Sequence, residues 1–350
     1  MYIDCHTHCR DEHQKHKETI AHALKVAEDS GLSGIFDNPN LGDNPVTTKE
    51  RVLDRFKLAR AANSPVVYAT YIGLTTNFEQ NKEAVETCRE FAYKPGDKVF
   101  AAGLKFFTIE SGSEQLVISE LKEQEEVYAN LTKLNYQGVV ANHCEKKSLI
   151  HPELWNPDNP VTHCSARPEE AEFYSIMDIL GIAKETGFRG HLHFFHITTP
   201  ASVNLINSAK RYQRASCGVC PHHLLLEDVI MQTDNGIFYK MNPPLRNSSS
   251  RKKLFSYFLQ GKIDILESDH APHSFEEKTK EYLSGIPNLA SWPDFTELLI
   301  RKGVRQELLE QTAYKNINKI FQTQIPRLNL PMQKGKHLRE YVFDPYESLK

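Results

Sequence analysis

No apolar stretch in this 350-residue chain approaches the roughly 20 residues that a membrane-spanning helix needs; runs such as Val99 to Leu104 fall far short. The opening MYIDCHTHCR lacks the apolar core of a secretory signal, so a cytoplasmic location is expected. No lysine and arginine stripe interleaved with aromatics is present, and the net charge is −3, which leaves neither a nucleic-acid nor a membrane partner with electrostatic support. The seven cysteines are odd in number and mostly scattered, which argues against a disulfide framework and fits a reducing compartment. The one CxxC, Cys217 to Cys220, has no second pair to complete a four-cysteine zinc site and reads as part of a strand. Cys5, Cys9, Cys144 and Cys220 flank histidines or a proline and read as small buried hydrophobes. No internal repeat, linker or low-complexity tract divides the chain.

What remains is an ordinary globular composition, 40% hydrophobic and 25% charged, enough for a sizeable core. Short β-branched runs alternate with amphipathic stretches, the pattern of βα units around a parallel sheet. Eight runs are present, at 2–5, 34–37, 66–73, 99–106, 138–143, 191–197, 215–220 and 263–268, and eight suggests closure into a (β/α)8 TIM-type barrel of the α/β class. Ile20, Ala23, Leu24 and Ala27 recur at helical spacing, as do Val52, Phe56 and Ala59, and these faces are expected on the outside of the barrel. Residues 146–168, with four prolines, and 224–245, with an Asn235-Gly236 turn, break the rhythm and read as insertions above the barrel. After a helix-like stretch at 306–321, the tail is too short for another domain, so the expected organisation is a barrel over 1–325 and a tail, 326–350, packed against it.

His6 and His8 stand two apart at the end of the first run, so both imidazoles face one side of the sheet and can share a metal. An HxH alone is weak evidence. Lys105 lies near the end of the fourth run, His143 and His196 at the ends of the fifth and sixth, and Asp269 just past the eighth; barrel enzymes carry their chemistry at these strand ends. A buried core does not ask for lysine, histidine and aspartate there, because unpaired buried charge costs several kcal/mol.

The segments DCHTHCR, FDNPN, GLKFF, NHCE, FFHITT, CPHHLLL, YKMNPPLR and ESDHAPH, in this order from residue 4 to residue 273, resemble the successive motifs of dihydroorotases in the amidohydrolase superfamily. MNPPLR and SDHAPH resemble the longer class I branch, whereas FFHITT and Lys105 resemble the shorter branch that uses a carboxylated lysine. The chain starts directly at the first strand, again like the shorter branch, so little or no accessory β-sandwich is expected.

The resemblance implies two zinc ions, with His6, His8 and Asp269 on one, His143 and His196 on the other, and carboxylated Lys105 and a hydroxide between them. It implies Asp269 as the residue that moves the proton, and interconversion of N-carbamoyl-L-aspartate and dihydroorotate in pyrimidine (UMP) biosynthesis, in a direction the sequence does not fix. Arg10 and Asn40 match the family's carboxylate-binding positions, and Asn242 and His273 match further substrate contacts. Arg10 suits a carboxylate because its planar fork binds one bidentately. Asn38 stands two residues before Asn40; one would bind while the other caps the turn at Pro39, and Asn40 is favoured as the asparagine of the PN pair before PVTT. Gly285 opens a GIPNL stretch where relatives carry a substrate loop, and residues 108–113 read as a lid.

The resemblance also implies a homo-oligomer, dimer or tetramer, with association with a transcarbamoylase as a further option. His191, His193, His222 and His223 read as structural, and His13, His16 and His22 as solvent or helix-face residues. Two rival readings remain: another cyclic amidohydrolase, such as a hydantoinase, dihydropyrimidinase or allantoinase, and a non-catalytic assembly partner of a transcarbamoylase.

Overall fold

The computed structural model describes residues 2–110 and 112–350. Eight strands form one sheet in the order β1 to β8: Tyr2–Thr7, Leu32–Asp37, Val67–Gly73, Val99–Phe107, Val139–His143, His191–Phe194, Ala215–Val219 and Ile265–Leu266. Every paired neighbour runs parallel. A parallel bridge between Thr7 and His270 brings β1 to the chain just past β8, so the sheet is a nearly closed (β/α)8 barrel. All eight expected runs are strands, and among the described residues no second sheet accompanies them. The expected strand at 263–268 contains the shortest, Ile265–Leu266.

The strands read as apolar runs because helices cover one face and the barrel interior takes the other. Ile3, Phe36, Ala69, Tyr71, Phe100, Ala102, Val139, Ala141 and Ile265 form an inner cluster, joined by Ile317, Phe321 and Ile325. Around it stand α1 (Ile20–Asp29), α2 (Lys49–Ala61), α3 (Phe78–Glu90), α4 (Leu121–Lys133), α5 (Glu169–Glu185), α6 (Pro200–Ala209), α7 (Ser248–Leu259) and α8 (Trp292–Arg301). Several begin at a side-chain cap: Thr19, Thr48, Asn77, Thr199 and Asn247 each accept from the amide three residues on. Ile20, Ala23, Leu24 and Ala27 are all buried, as the helical spacing predicts.

One glycine sets the direction of a functional strand. Between Thr70 and Tyr71 the pairing of β3 with β4 skips a residue, from Ala101 to Gly103. Gly103 has φ 146°, and a Cβ there would meet the Val139 carbonyl oxygen at 2.6 Å. The bulge re-aims the rest of β4, including Lys105 two residues on. The insertions at 146–168 and 224–245 are built of short helical turns. The tail lies along the barrel: the Leu328 amide donates to Ser33 Oγ (3.1 Å), the Gln333 amide to the Asp29 carbonyl (2.7 Å), and buried Tyr346 donates to Asn288 Oδ1 (2.9 Å). No helix among the described residues is long and apolar enough to cross a membrane.

Candidate metal centre and substrate pocket

His6, His8, Arg10, Asn40, Lys105, His143, His196, Asn242, Asp269 and His273, the ten residues singled out from sequence, all line one cavity of about 760 Å³. The ends of β1, β4, β5, β6 and β8 supply most of them; Asn40 follows β2, and Asn242 comes from the insertion at 224–245. Arg10, His196 and Asp269 have φ of 50°, 40° and 49°, a left-handed backbone that costs non-glycine residues free energy and that clusters at working sites.

Asp269 Oδ1 lies 3.2 Å from both His6 Nε2 and His8 Nε2. Across the cavity His143 Nδ1 and His196 Nε2 are 3.0 Å apart. Burial pushes His8 down to about 4 and also lowers His143 and His196, so these imidazoles are neutral at pH 7. Burial opposes ionisation of Asp269, but His6 and His8 beside it hold its carboxyl well below the usual carboxylate range. Lys105 is fully buried, its Nζ has no hydrogen-bond partner among the described residues, and it faces the rings of Phe195 (3.9 Å) and Phe107 (4.7 Å). Burial lowers it to about 7, which leaves much of it as free amine near neutral pH.

These donors fit metal ions. Ligands around a tetrahedral zinc sit roughly 3.3 Å apart, close to the spacings of the His6, His8 and Asp269 group. Neutral imidazoles and an ionised carboxylate are the donor types that zinc takes, and the buried Lys105 amine beside them has no hydrogen-bond partner among the described residues.

The supporting residues were not legible in the sequence. Glu267, fully buried, accepts from the His196 amide (2.6 Å), lies 3.2 Å from His193 Nε2 and 3.7 Å from His6 Nδ1, and accepts from Cys5 Sγ (3.5 Å). His193 is therefore a structural histidine, as expected, and the group it fixes is Glu267; Ser216, 2.8 Å from its other nitrogen, holds the ring in turn. Glu145, 3.0 Å from His143 Nε2, is clamped by two bonds from Arg167 (2.9 and 2.7 Å). Both insertions reach the cavity, through Trp155, His163 and Arg167 on one side and Lys240 and Asn242 on the other. His163 Nε2 meets Asn242 Oδ1 at 2.9 Å.

Arg10, which also lines the cavity, is buried and forms no ion pair among the described residues. Its neighbour Lys17 is neutralised by Glu277 at 2.8 Å, and His273 Nδ1 lies 3.5 Å from the same carboxylate. Asn38 donates to the Thr7 carbonyl (3.1 Å) and fixes the β2 loop, whereas Asn40 lines the cavity. Gly285 also lines it; at φ 143° a Cβ there would meet the Ala271 carbonyl oxygen at 2.6 Å. The expected lid at 108–113 includes Ser111, which lies outside the described residues; Glu110, Gly112 and Ser113 border the cavity. His222 and His223 are buried and bonded to Asn288 and to the Pro243 carbonyl (3.0 and 3.1 Å), and the other nitrogen of each ring has no partner among the described residues.

No protein-family model matches the chain. It is 31% identical over 283 residues to a protein of Lactobacillus gasseri named dihydroorotase, a match that covers 79% of this chain and 61% of the relative. A dihydroorotase of Ligilactobacillus salivarius is 31% identical over 293 residues, and one of Listeria monocytogenes 29% over 285. The chain thus spans about six-tenths of the length of these relatives. Among solved structures the L-hydantoinase (dihydropyrimidinase) of Arthrobacter aurescens superimposes with a TM-score of 0.81 over 96% of this chain and 74% of its own, at 21% identity. The D-hydantoinase of a Thermus species gives 0.76 over 95% and 73%, at 18% identity. At these identities the structural likeness speaks for the fold, and the sequence likeness for descent. The chain is thus similar in sequence to proteins named dihydroorotase and shares the barrel fold of the hydantoinases.

Proposed function

We propose that the chain is a zinc-dependent cyclic-amide hydrolase, a dihydroorotase that interconverts N-carbamoyl-L-aspartate and dihydroorotate. The observation that carries this reading is Arg10, a buried guanidinium that forms no ion pair among the described residues and lines the cavity that holds the metal-type cluster. A buried cation calls for an anionic partner, and a carboxylate on the substrate supplies it bidentately. Uncharged hydantoin and dihydropyrimidine rings do not.

In this reading His6, His8 and Asp269 would hold one ion and His143 and His196 the other, with Lys105, as its carbamate, a further oxygen ligand. Two bound divalent cations would polarise the scissile carbonyl and supply the water nucleophile in reactive form at neutral pH. The Lys105 amine, already uncharged in part near pH 7, can attack carbon dioxide; a nitrogen–carbon bond forms and a proton leaves, so a neutral donor becomes an anionic oxygen ligand.

Arg10 and Asn40 fix the substrate carboxylate, with Asn242 and His273 as further contacts. Asp269, ionised at neutral pH, accepts the proton of the attacking water and delivers it to the ring nitrogen as the ring carbon–nitrogen bond breaks. The reverse sequence closes the ring.

The test is a comparison of dihydroorotate with hydantoin and allantoin as substrates of the zinc-loaded protein. A clear kcat/KM preference for dihydroorotate is expected, abolished in Asp269→Ala. Preference for an uncharged ring would point to a hydantoinase instead, and an active Asp269→Ala enzyme would remove Asp269 from the proton path.

A further inference from the structure

A second cluster of metal-type ligands joins α1 to the tail: His22 on the helix, and His337 and Glu340 near the chain's end. Their ligand atoms lie within 4.8 Å of one another. His22 Nε2 is 2.7 Å from Glu340 Oε2, and His337 Nδ1 is 3.0 Å from both Glu340 oxygens. The two rings stand perpendicular, 6.1 Å apart.

What singles this cluster out is the opposite edge of each imidazole. His22 Nδ1 lies 2.6 Å from Glu18, and His337 Nε2 lies 2.8 Å from Asp29. Both carboxylates are almost wholly buried, and Glu18 is held further by the Tyr341 hydroxyl (2.7 Å) and by His270 (3.2 Å). A carboxylate on one ring nitrogen places the proton there and turns the lone pair of the other nitrogen outward, the usual arrangement behind a metal-bound histidine. Here both outward nitrogens converge on one carboxylate. Neutral imidazoles cannot remain so, because two lone pairs would face an acceptor with no proton between them; the cluster needs either two extra protons or one cation.

We propose that His22, His337 and Glu340 bind one divalent transition-metal ion of the zinc type, separate from the barrel ions, which fastens the tail to α1. Two imidazoles and a carboxylate select zinc-like ions over calcium or magnesium. The spacings of 2.7–3.0 Å need only a few tenths of an ångström to reach the roughly 3.3 Å of tetrahedral ligands, and water completes the shell. His22 and Glu340 are 37% and 46% exposed at the side chain, so an ion can enter from solvent. The carboxylates of Glu18, Asp29 and Glu340 bring three negative charges to this corner; the Lys336 and Lys25 ammoniums, 2.8 and 3.4 Å from Asp29, face Asp29, and Glu340 is the carboxylate left for an ion.

The experiment is zinc stoichiometry and thermal unfolding of the full chain, stripped with a chelator and reloaded with Zn2+ alone near pH 7.5. Wild type is expected to hold one zinc per chain more than His337→Ala or His22→Gln, and to gain more in Tm on zinc addition. In a His6→Ala background the extra zinc should persist, which separates it from the barrel ions. Gln at position 22 can still donate to Glu18, so that variant keeps the helix contact even if His337→Ala loosens the tail. Equal zinc counts and equal zinc-induced Tm rises in wild type and both variants would overturn the site.

Discussion

Lys105 shows how a single residue is prepared by its surroundings. Burial of a lysine that has no hydrogen-bond partner among the described residues lowers it to about 7, so part of it is free amine near neutral pH, and only the uncharged amine can form a carbamate. Lys105→Gln should therefore retain the fold, lose metal and turnover together, and lose the carbon label that wild type takes up from 13C-bicarbonate; label retained in the variant would place the carbamate elsewhere. Glu267 acts one layer deeper. It bonds the His196 amide and lies beside His193 and His6, so it orients ligands on opposite sides of the cavity without reaching the substrate. Glu267→Gln keeps the shape and removes the charge. Loss of such an outer partner typically costs about 10–100-fold in metal affinity or activity. We expect kcat to fall within that range with KM little changed, read by steady-state kinetics and metal content; an unchanged metal affinity and kcat would reduce Glu267 to core packing.

At the scale of elements, α2 holds the loop that carries Arg10. Arg55, fully buried, donates to Asp37 Oδ2 (2.6 Å) and to the Arg10 carbonyl (2.6 Å), while Asp37 also accepts from Tyr68 (2.5 Å) and the Cys9 amide (2.8 Å). Removing one partner of a buried ion pair leaves the other uncompensated, at a cost of about 3–5 kcal/mol. Arg55→Ala should lose stability of that order in denaturant unfolding and raise KM for dihydroorotate, since the strained Arg10 backbone loses its anchor; a loss below about 1 kcal/mol would show that water or a neighbour replaces the guanidinium. Arg55 also shows where sequence reading stops. The strands were legible because burial on both faces writes apolar runs, and His6, His8, Lys105, His143, His196 and Asp269 were legible because each stands at the end of such a run. Arg55 instead looks like one more charge on a polar helix, and Glu267 like one more strand-end acid. Glu145 and Arg167, or His22 and Glu340, meet only after the chain has folded, and nothing local marks one partner for the other. Asn38 and Asn40 were separated only when the turn at Pro39 sent one to a backbone carbonyl and the other to the cavity.

At the scale of the whole molecule, the barrel closes at its weakest seam beside the metal-type cluster, and the tail reinforces that seam. Between β1 and the chain past β8 the closure rests on the Thr7–His270 bridge, the His8 amide on the His270 carbonyl (2.8 Å), and buried Asp4, which accepts from the Ser268 amide (3.1 Å) and Trp292 (2.9 Å). From the tail, Tyr341 reaches Glu18, which holds His270, and Tyr346 reaches Asn288, which donates to the Ser268 carbonyl. Docking of the tail is thus coupled to the backbone on either side of Asp269, and its strength follows the ionisation of the groups that hold it. His22, with Glu18 and Glu340 on its two nitrogens, is raised to about 9, first by the Glu18 hydrogen bond. A histidine whose folded pKa lies above its ordinary value of 6.5 contributes stability that is complete below 6.5 and is lost as pH rises through 9. In chelator-stripped protein, the stability difference between wild type and His22→Gln should therefore be largest near pH 6, smaller near pH 8, and gone above about pH 10, read by denaturant unfolding. Amide exchange should follow: wild type at high pH should expose the Ala271 amide, bonded to the Ile286 carbonyl (2.9 Å), as readily as the variant does at pH 6. A difference that stays constant from pH 6 to 10 would mean that His22 packs against the tail without carrying charge into the contact, and that the seam beside Asp269 is held independently of it.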